Sequence, residues 1–190
     1  MDRDTELMVR VSGGDMAAFG LLLERYRNPM VSFMNRMVQD HGVAEELAQE
    51  VFLRVYRSRA TYQPAAKFTT WMFRIATHVA LNWLRDHKKE MGRQSLDEEA
   101  VDGAGSRQLS DGAPNAEQRM LEDARLLAVR RAVEMLPGKQ RAAVLMHKYE
   151  ELEYSQIART LECSESAVKS LLFRAYERLR DRLAHLDGTR

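Results

Sequence analysis

The sequence predicts an all-α protein: two small helical domains joined by a flexible linker, the C-terminal one a helix-turn-helix domain. Three observations predict it. Apolar residues recur at three- and four-residue intervals through most of the 190 residues, and no period-two alternation lasts long enough for a strand. Between Glu90 and Asn115 this pattern breaks, and Gly92, Gly103, Gly105, Gly112 and Pro114 sit among serines and the acidic run Asp97, Glu98, Glu99. Such a composition buries little apolar surface, so it reads as a linker. From Tyr154 to Leu183 two helices meet at a three-residue turn, and the second turns a basic, hydroxyl-rich face outward. The domains are accordingly 1–89 and 116–190, with the linker at 90–115.

Composition narrows the class. Hydrophobic residues make up 45% of the chain and charged residues 30%, which suits globular helices rather than disorder. No apolar run approaches the roughly 20 residues that cross a bilayer, and the charged start MDRDTELMVR lacks the apolar core of a signal peptide. The single cysteine, Cys163, forms no internal disulfide and supplies no metal cluster. A cytoplasmic location is expected. No Ser/His/Asp or Cys/His grouping, glycine-rich phosphate loop or metal spacing appears, and His41, His78, His87, His147 and His185 are dispersed. No enzyme activity, cofactor, metal or small-molecule substrate is therefore expected.

The net charge of +1 hides a strong asymmetry. From Arg59 to Lys89 there are six basic residues (Arg59, Lys67, Arg74, Arg85, Lys88, Lys89) against Asp86 alone, while 91–115 holds two basic residues and five acids. Positive charge is gathered where phosphate contacts would need it.

In the first domain, Asp15 caps a helix reaching about Gln39, which Pro29 is expected to kink or divide. The next helix runs from about Val43 to Arg57. Ala44, Leu47, Ala48, Val51 and Val55 form its buried stripe, and Glu46, Gln49, Glu50 and Leu53 lie opposite. That opposite face serves as solvated surface or as a docking strip; an apolar Leu53 ringed by polar groups suits an anchor.

A third helix runs from about Thr69 to Lys89, with Met72, Ile75, Ala76, Val79 and Trp83 as core stripe. At 100° per residue, Trp71, Arg74, His78, Asn82, Arg85 and Lys89 share one sector of about 80°. Cations neutralise phosphates, and an indole stacks on an unpaired base as readily as it packs in a core.

The second domain opens with an amphipathic helix from about Ala116 to Met135, stopped by Leu136-Pro137-Gly138, and a helix from about Lys139 to Tyr149 with Val144 and Leu145 inward. In the helix-turn-helix, Ile157, Ala158 and Leu161 line the inner side of the first helix. Ser164 caps the second, and Glu165 suits its positive end. Val168, Leu172, Ala175 and Leu179 face inward; Ser166, Lys169, Ser170, Phe173 and Glu177 face outward, flanked by Arg174 and Arg178. Residues near the helix start would meet base edges in a major groove, with Lys169 and the arginines on phosphates.

Three segments resemble one family in the right order. ELAQEVFLRVYR (46–57), FTTWMFRIATHVALNWLR (68–85) and LPGKQRAAVLMHKYEELEYSQIA…SESAVKSLLFRAYERLR (136–180) are similar to the polymerase-binding, minus-ten and minus-thirty-five segments of the extracytoplasmic-function (ECF) sigma factors of bacterial RNA polymerase. The resemblance implies a dissociable subunit that directs core polymerase to promoters and helps melt them. Its implied partners are core RNA polymerase, through the clamp coiled coil of the largest subunit, promoter DNA both duplex and melted, and an anti-sigma factor that would hold it at the inner membrane.

Residue by residue, the resemblance gives Glu46, Gln49, Glu50 and Leu53 to the polymerase. Arg59 to Lys67 matches the loop that captures a flipped base, and Trp71, Arg74, His78, Asn82, Arg85, Lys88 and Lys89 match the surface that reads the minus-ten element. Ser164, Glu165, Ser166, Ala167, Lys169, Ser170, Phe173, Arg174 and Arg178 fall on the surface that reads the minus-thirty-five element. The chain departs from the pattern at Val43, Gln156, Ser166, Ala167 and Leu171, and at Glu162, which replaces a turn glycine at about 1 kcal/mol if φ is positive there. A stand-alone helix-turn-helix regulator is the competing reading, but it leaves the Trp71–Lys89 strip without a purpose.

Overall fold

The computed structural model describes residues 2–94 and 116–187. Most of the proposed linker, residues 95–115, lies outside them. Among the described residues eight helices follow in order: α1 (Arg3–Ser12), α2 (Met16–Val38), α3 (His41–Arg57), α4 (Phe68–Gln94), α5 (Ala116–Glu134), α6 (Gly138–Lys148), α7 (Tyr154–Leu161) and α8 (Glu165–Asp187). A single 3₁₀ turn, Arg59–Thr61, stands between α3 and α4.

Carboxylates start the first three helices. Asp2 accepts from the amides of Asp4 and Thr5, Asp15 from Ala18 and Asp40 from Val43, each meeting a donor that a helix start leaves without a partner. The sequence reading did not include α1, which brings Leu7, Met8 and Val11 into the core. Its Thr5 hydroxyl donates to Asp2 and accepts from the amide of Phe68 at 3.1 Å, so α1 caps the start of α4 across 63 residues of chain.

Pro29 does not divide α2, which is one element from Met16 to Val38. Its ring is exposed, so the carbonyl left without a donor can be met by water. Helix α4 continues past Lys89 to Gln94.

Met8, Met30, Phe33, Met34, Phe68 and Met72 are fully buried at the centre of α1–α4, and Phe33 meets Phe73 edge-on at 5.2 Å. Each side chain of this kind contributes roughly 1.5–3 kcal/mol by leaving water. In the second half, Leu145, Met146, Ile157, Val168, Leu172 and Ala175 form the corresponding centre.

These two centres are continuous. Helix α6 is buried on every side from Gln140 to Met146, because it packs on α8 on one hand and on α2 and α4 on the other. Helix α7 lies against α4, and α5 touches α2. The two halves form one packed body rather than separate beads.

Candidate nucleic-acid interface

On α3, Glu46, Gln49 and Leu53 are exposed and Glu50 is half-buried, as the stripe geometry requires. Glu50 accepts a 2.7 Å hydrogen bond from Arg54 one turn on. Leu53 is 49% exposed and overhangs a groove of about 550 Å³ between α2 and α3. Phe19, Leu23, Val31, Phe52 and Tyr56 line it, with Arg27 and Glu45 at its edges. The α2 wall was not in the sequence reading; its signal was Met16, Phe19 and Leu23 recurring at helical spacing beyond the core stripe.

The loop before α4 is ordered by aromatic contacts. Arg59 lies 4.0 Å over the Tyr56 ring and donates to the Tyr56 carbonyl at 2.8 Å, which fixes its cation beside the loop. Lys67 is exposed. Trp71 is half-buried, edge-on to Tyr62 at 4.9 Å and tilted against Phe68 at 6.2 Å. Beyond it Arg74, His78, Asn82, Arg85, Lys88 and Lys89 are all exposed along α4, so the strip of one indole followed by polar and cationic groups exists as a surface. Arg85 donates to Asp86 at 3.1 Å, and Trp83 stacks on His87 at 4.6 Å instead of facing the core alone.

The turn between α7 and α8 holds Glu162 at φ 52°, ψ 51°, the left-handed conformation in which a side chain is strained. Cys163 is half-buried there. Ser164 Oγ accepts from the amide of Ala167 at 3.2 Å and caps α8, with the Ser166 hydroxyl 2.9 Å away. Ser166, Lys169, Ser170, Phe173, Arg174 and Arg178 are exposed along one side of α8, Glu165 is exposed at its start, and Ala167 is half-buried. Arg174 is oriented by a 3.1 Å bond from Nε to the Ser170 carbonyl. Leu171 is half-buried against the core, so its departure from the family pattern is a packing change.

The described residues thus carry two separate faces suited to nucleic acid, one aromatic and cationic on α4, one cationic with hydroxyls on α8. Among them no group of three or more His, Cys, Asp or Glu could hold a metal ion. No described helix is long and apolar enough to cross a membrane.

Sequence comparison matches residues 22–90 to sigma-70 region 2 and residues 126–179 to sigma-70 region 4. The chain is 33% identical over 93% of its length to the RNA polymerase sigma-H factor of Pseudomonas aeruginosa, covering 91% of that protein. It is 30% identical over 96% of its length to the ECF RNA polymerase sigma-E factor of Escherichia coli K12, covering 95% of it. The chain belongs to the extracytoplasmic-function sigma factors. Region 2 of this sigma factor takes in the α3 face and the α4 strip, and region 4 takes in the helix-turn-helix. The fold is similar to that of CnrH in complex with the cytosolic domain of CnrY, at a TM-score of 0.67, 18% identity and full coverage of both chains. It is also similar to the sigma factor RpoE in complex with the anti-sigma factor NepR from Bartonella quintana, at a TM-score of 0.62 and 19% identity over 90% of this chain and 98% of that one.

Proposed function

We propose that this sigma factor works by dividing promoter recognition between its two faces while α3 ties both to the polymerase. Glu46, Gln49, Glu50 and Leu53 engage the clamp coiled coil of the largest subunit, with Leu53 and the α2–α3 groove receiving an apolar side chain of that partner. Ser164 to Arg178 reads duplex at the minus-thirty-five element. Arg59, Lys67, Trp71, Arg74, His78, Asn82, Arg85, Lys88 and Lys89 hold the melted strand of the minus-ten element.

The reading rests chiefly on the α4 strip. An exposed row of cations behind a half-buried indole serves no purpose on a duplex-only regulator, but it suits a strand whose bases have left the stack. Extracting a base costs a few kcal/mol, which a shaped pocket can offset. The chain supplies binding energy and no catalytic step; the polymerase performs the chemistry. Both solved neighbours are complexes with a second protein, which for RpoE is the anti-sigma factor NepR, and an anti-sigma factor is proposed for this chain too. Its place of action is the cytoplasm, with tethering at the inner membrane when such a partner holds it.

Run-off transcription with purified core polymerase on a genomic library tests the assignment. Transcripts sharing two upstream motifs support it, and no initiation at any site overturns it.

A further inference from the structure

Trp71 stands between two aromatic walls, Tyr62 and Phe68, and both walls are tied to the first helix. Thr5 on α1 is buried. Its hydroxyl donates to the Asp2 carboxylate at 2.6 Å and accepts from the Phe68 amide at 3.1 Å, a donor that a helix start leaves without a partner. The phenol of Tyr62 is buried too, and its oxygen has no hydrogen-bond partner among the described residues. Burial pushes that phenol's pKa up, and Thr5 beside it draws it part of the way back. Helix α1 packs both on the 3₁₀ turn that precedes Tyr62 and on α4.

Hydrogen-bond polarity gives Asp2 a part in this. A hydroxyl has one proton and two lone pairs, and an ionised carboxylate can only accept. With its proton on Asp2, Thr5 can only accept from Phe68 and Tyr62, and both of those neighbours are donors. A second route reaches the Phe68 ring. Asp4 accepts from Arg25 and from the hydroxyl of Tyr26, and the Tyr26 ring tilts against Phe68 at 5.6 Å.

The same contacts close a loop. Six steps of chain run from Tyr62 to Phe68, enough to span about 20 Å when extended, yet both ends are gathered at one hydroxyl. Gln63, Pro64, Ala65 and Lys67 between them are exposed. A loop pinned at its ends, with its middle turned outward, has less freedom left to lose when a ligand arrives. Helix α1 precedes residues 22–90, the segment matched to sigma-70 region 2.

We propose that Thr5, oriented by Asp2, is a positioning residue for the capture of melted bases: it holds Tyr62 and Phe68 in the arrangement that presents Trp71 and the 62–68 loop to an unpaired strand. The proposal rests on the function assigned above. Thr5 touches no base itself. It acts through Trp71, by sparing the complex the ordering of the indole and its loop.

Thr5→Val keeps the shape and removes the hydroxyl, while Thr5→Ser keeps the hydroxyl. Holoenzyme carrying Thr5→Val should bind a fork-junction template with an unpaired minus-ten strand roughly tenfold more weakly, about the cost of ordering one further side chain on binding. Its affinities for core polymerase and for an upstream duplex carrying only the minus-thirty-five element should match wild type, and Thr5→Ser should restore fork binding. In a Trp71→Ala background Thr5→Val should add no further loss, because a residue acting through the indole is silent once the indole is gone. Asp2→Asn is the milder variant. Its side-chain oxygen still caps α1, but its second atom is a donor that cannot accept from Thr5, so a smaller loss in the same direction is expected.

The indole reports on its seat without DNA. With Trp83→Phe leaving Trp71 the single tryptophan, Thr5→Val should shift its emission to the red and steepen its quenching by acrylamide, and Thr5→Ser should not. Wild-type fork binding and quenching in Thr5→Val would overturn the proposal, as would a loss of equal size on the upstream duplex or in the Trp71→Ala background. If quenching responds to Thr5→Val but Trp71→Ala holoenzyme binds the fork like wild type, the bracing of Trp71 stands and its assigned role with bases fails.

Discussion

Tyr62 sets its ring edge-on against Trp71, with centroids 4.9 Å apart and planes inclined at 62°. Tyr62 is itself buried, so the loop before α4 fixes one edge of the indole while the rest of Trp71 stays half-exposed. A braced aromatic stacks on an incoming base without first losing rotamer freedom. Trp71→Ala is expected to weaken binding of holoenzyme to a fork-junction template by about 1–3 kcal/mol, the usual worth of one stacked base. Affinity for an upstream duplex carrying only the minus-thirty-five element should not change. Equal losses on both templates would assign Trp71 to packing alone.

Leu53 and Gln49 are predicted to matter for the polymerase and not for the fold. Both are exposed on α3, so Leu53→Ala and Gln49→Ala should move the unfolding free energy by no more than about 0.5 kcal/mol. If Leu53 is an anchor, its truncation costs about 2 kcal/mol or more of core affinity, roughly a thirtyfold rise in Kd. Titration of labelled core polymerase separates the two readouts.

Which features could be read from the sequence follows from how far each depends on other helices. The strip from Trp71 to Lys89 and the face from Ser166 to Arg178 each lie on one helix, so the 100° periodicity alone places them. Glu162 was legible as a conditional strain, and its φ of 52° makes it real. Helix α1 was not legible, because Thr5 acquires its role only through Phe68. The second wall of the α2–α3 groove depends on how two helices pack. Least legible was the contact between the halves: Gly138 reads as an ordinary helix stop and Arg141 as a surface cation until Leu81 and Met37 are brought to them. A glycine-rich acidic segment signals a linker but says nothing about whether the bodies it joins touch.

Phe173 should read a thymine methyl. It is 67% exposed in the middle of a face that otherwise forms hydrogen bonds, flanked by Lys169, Ser170 and Arg174. In a major groove the apolar group offered by a base edge is the C5 methyl of thymine. Replacing each thymine of the minus-thirty-five element with deoxyuridine removes that methyl and nothing else. At one position the substitution should weaken wild-type holoenzyme by about 1 kcal/mol or more and leave Phe173→Ala unaffected. Uniform insensitivity of the wild type would remove this role.

Glu162 pairs with Arg74 but occupies a backbone conformation that favours glycine. Comparing Glu162→Gly with Glu162→Ala isolates the strain, since both delete the carboxylate and only alanine retains Cβ. The glycine variant should be the more stable by about 1–2 kcal/mol. Denaturant midpoints at constant slope measure the difference. If the two variants unfold together, the turn relaxes away from the left-handed region without cost.

Glu150 should give the contact between the halves a pH signature. Burial pushes its carboxyl above the ordinary 4.5, and the opposing pull of Arg36 from α2 is the smaller effect. Arg36 is itself held 4.1 Å over the ring of Tyr149. A raised pKa means that the folded chain keeps this proton more tightly than the unfolded one. The stability Glu150 contributes is therefore complete below 4.5 and declines as pH rises through the window above it. Asp15 acts in the opposite sense, its pKa lowered by the amide of Ala18 and by Arg10, but it titrates below 3.8 and is common to any Glu150 variant. Glu150→Gln should consequently match wild type near pH 4 and exceed it in Tm at pH 7. A difference that stays flat would show that the attraction of Arg36 offsets burial, and one that turns negative at neutral pH that it outweighs it.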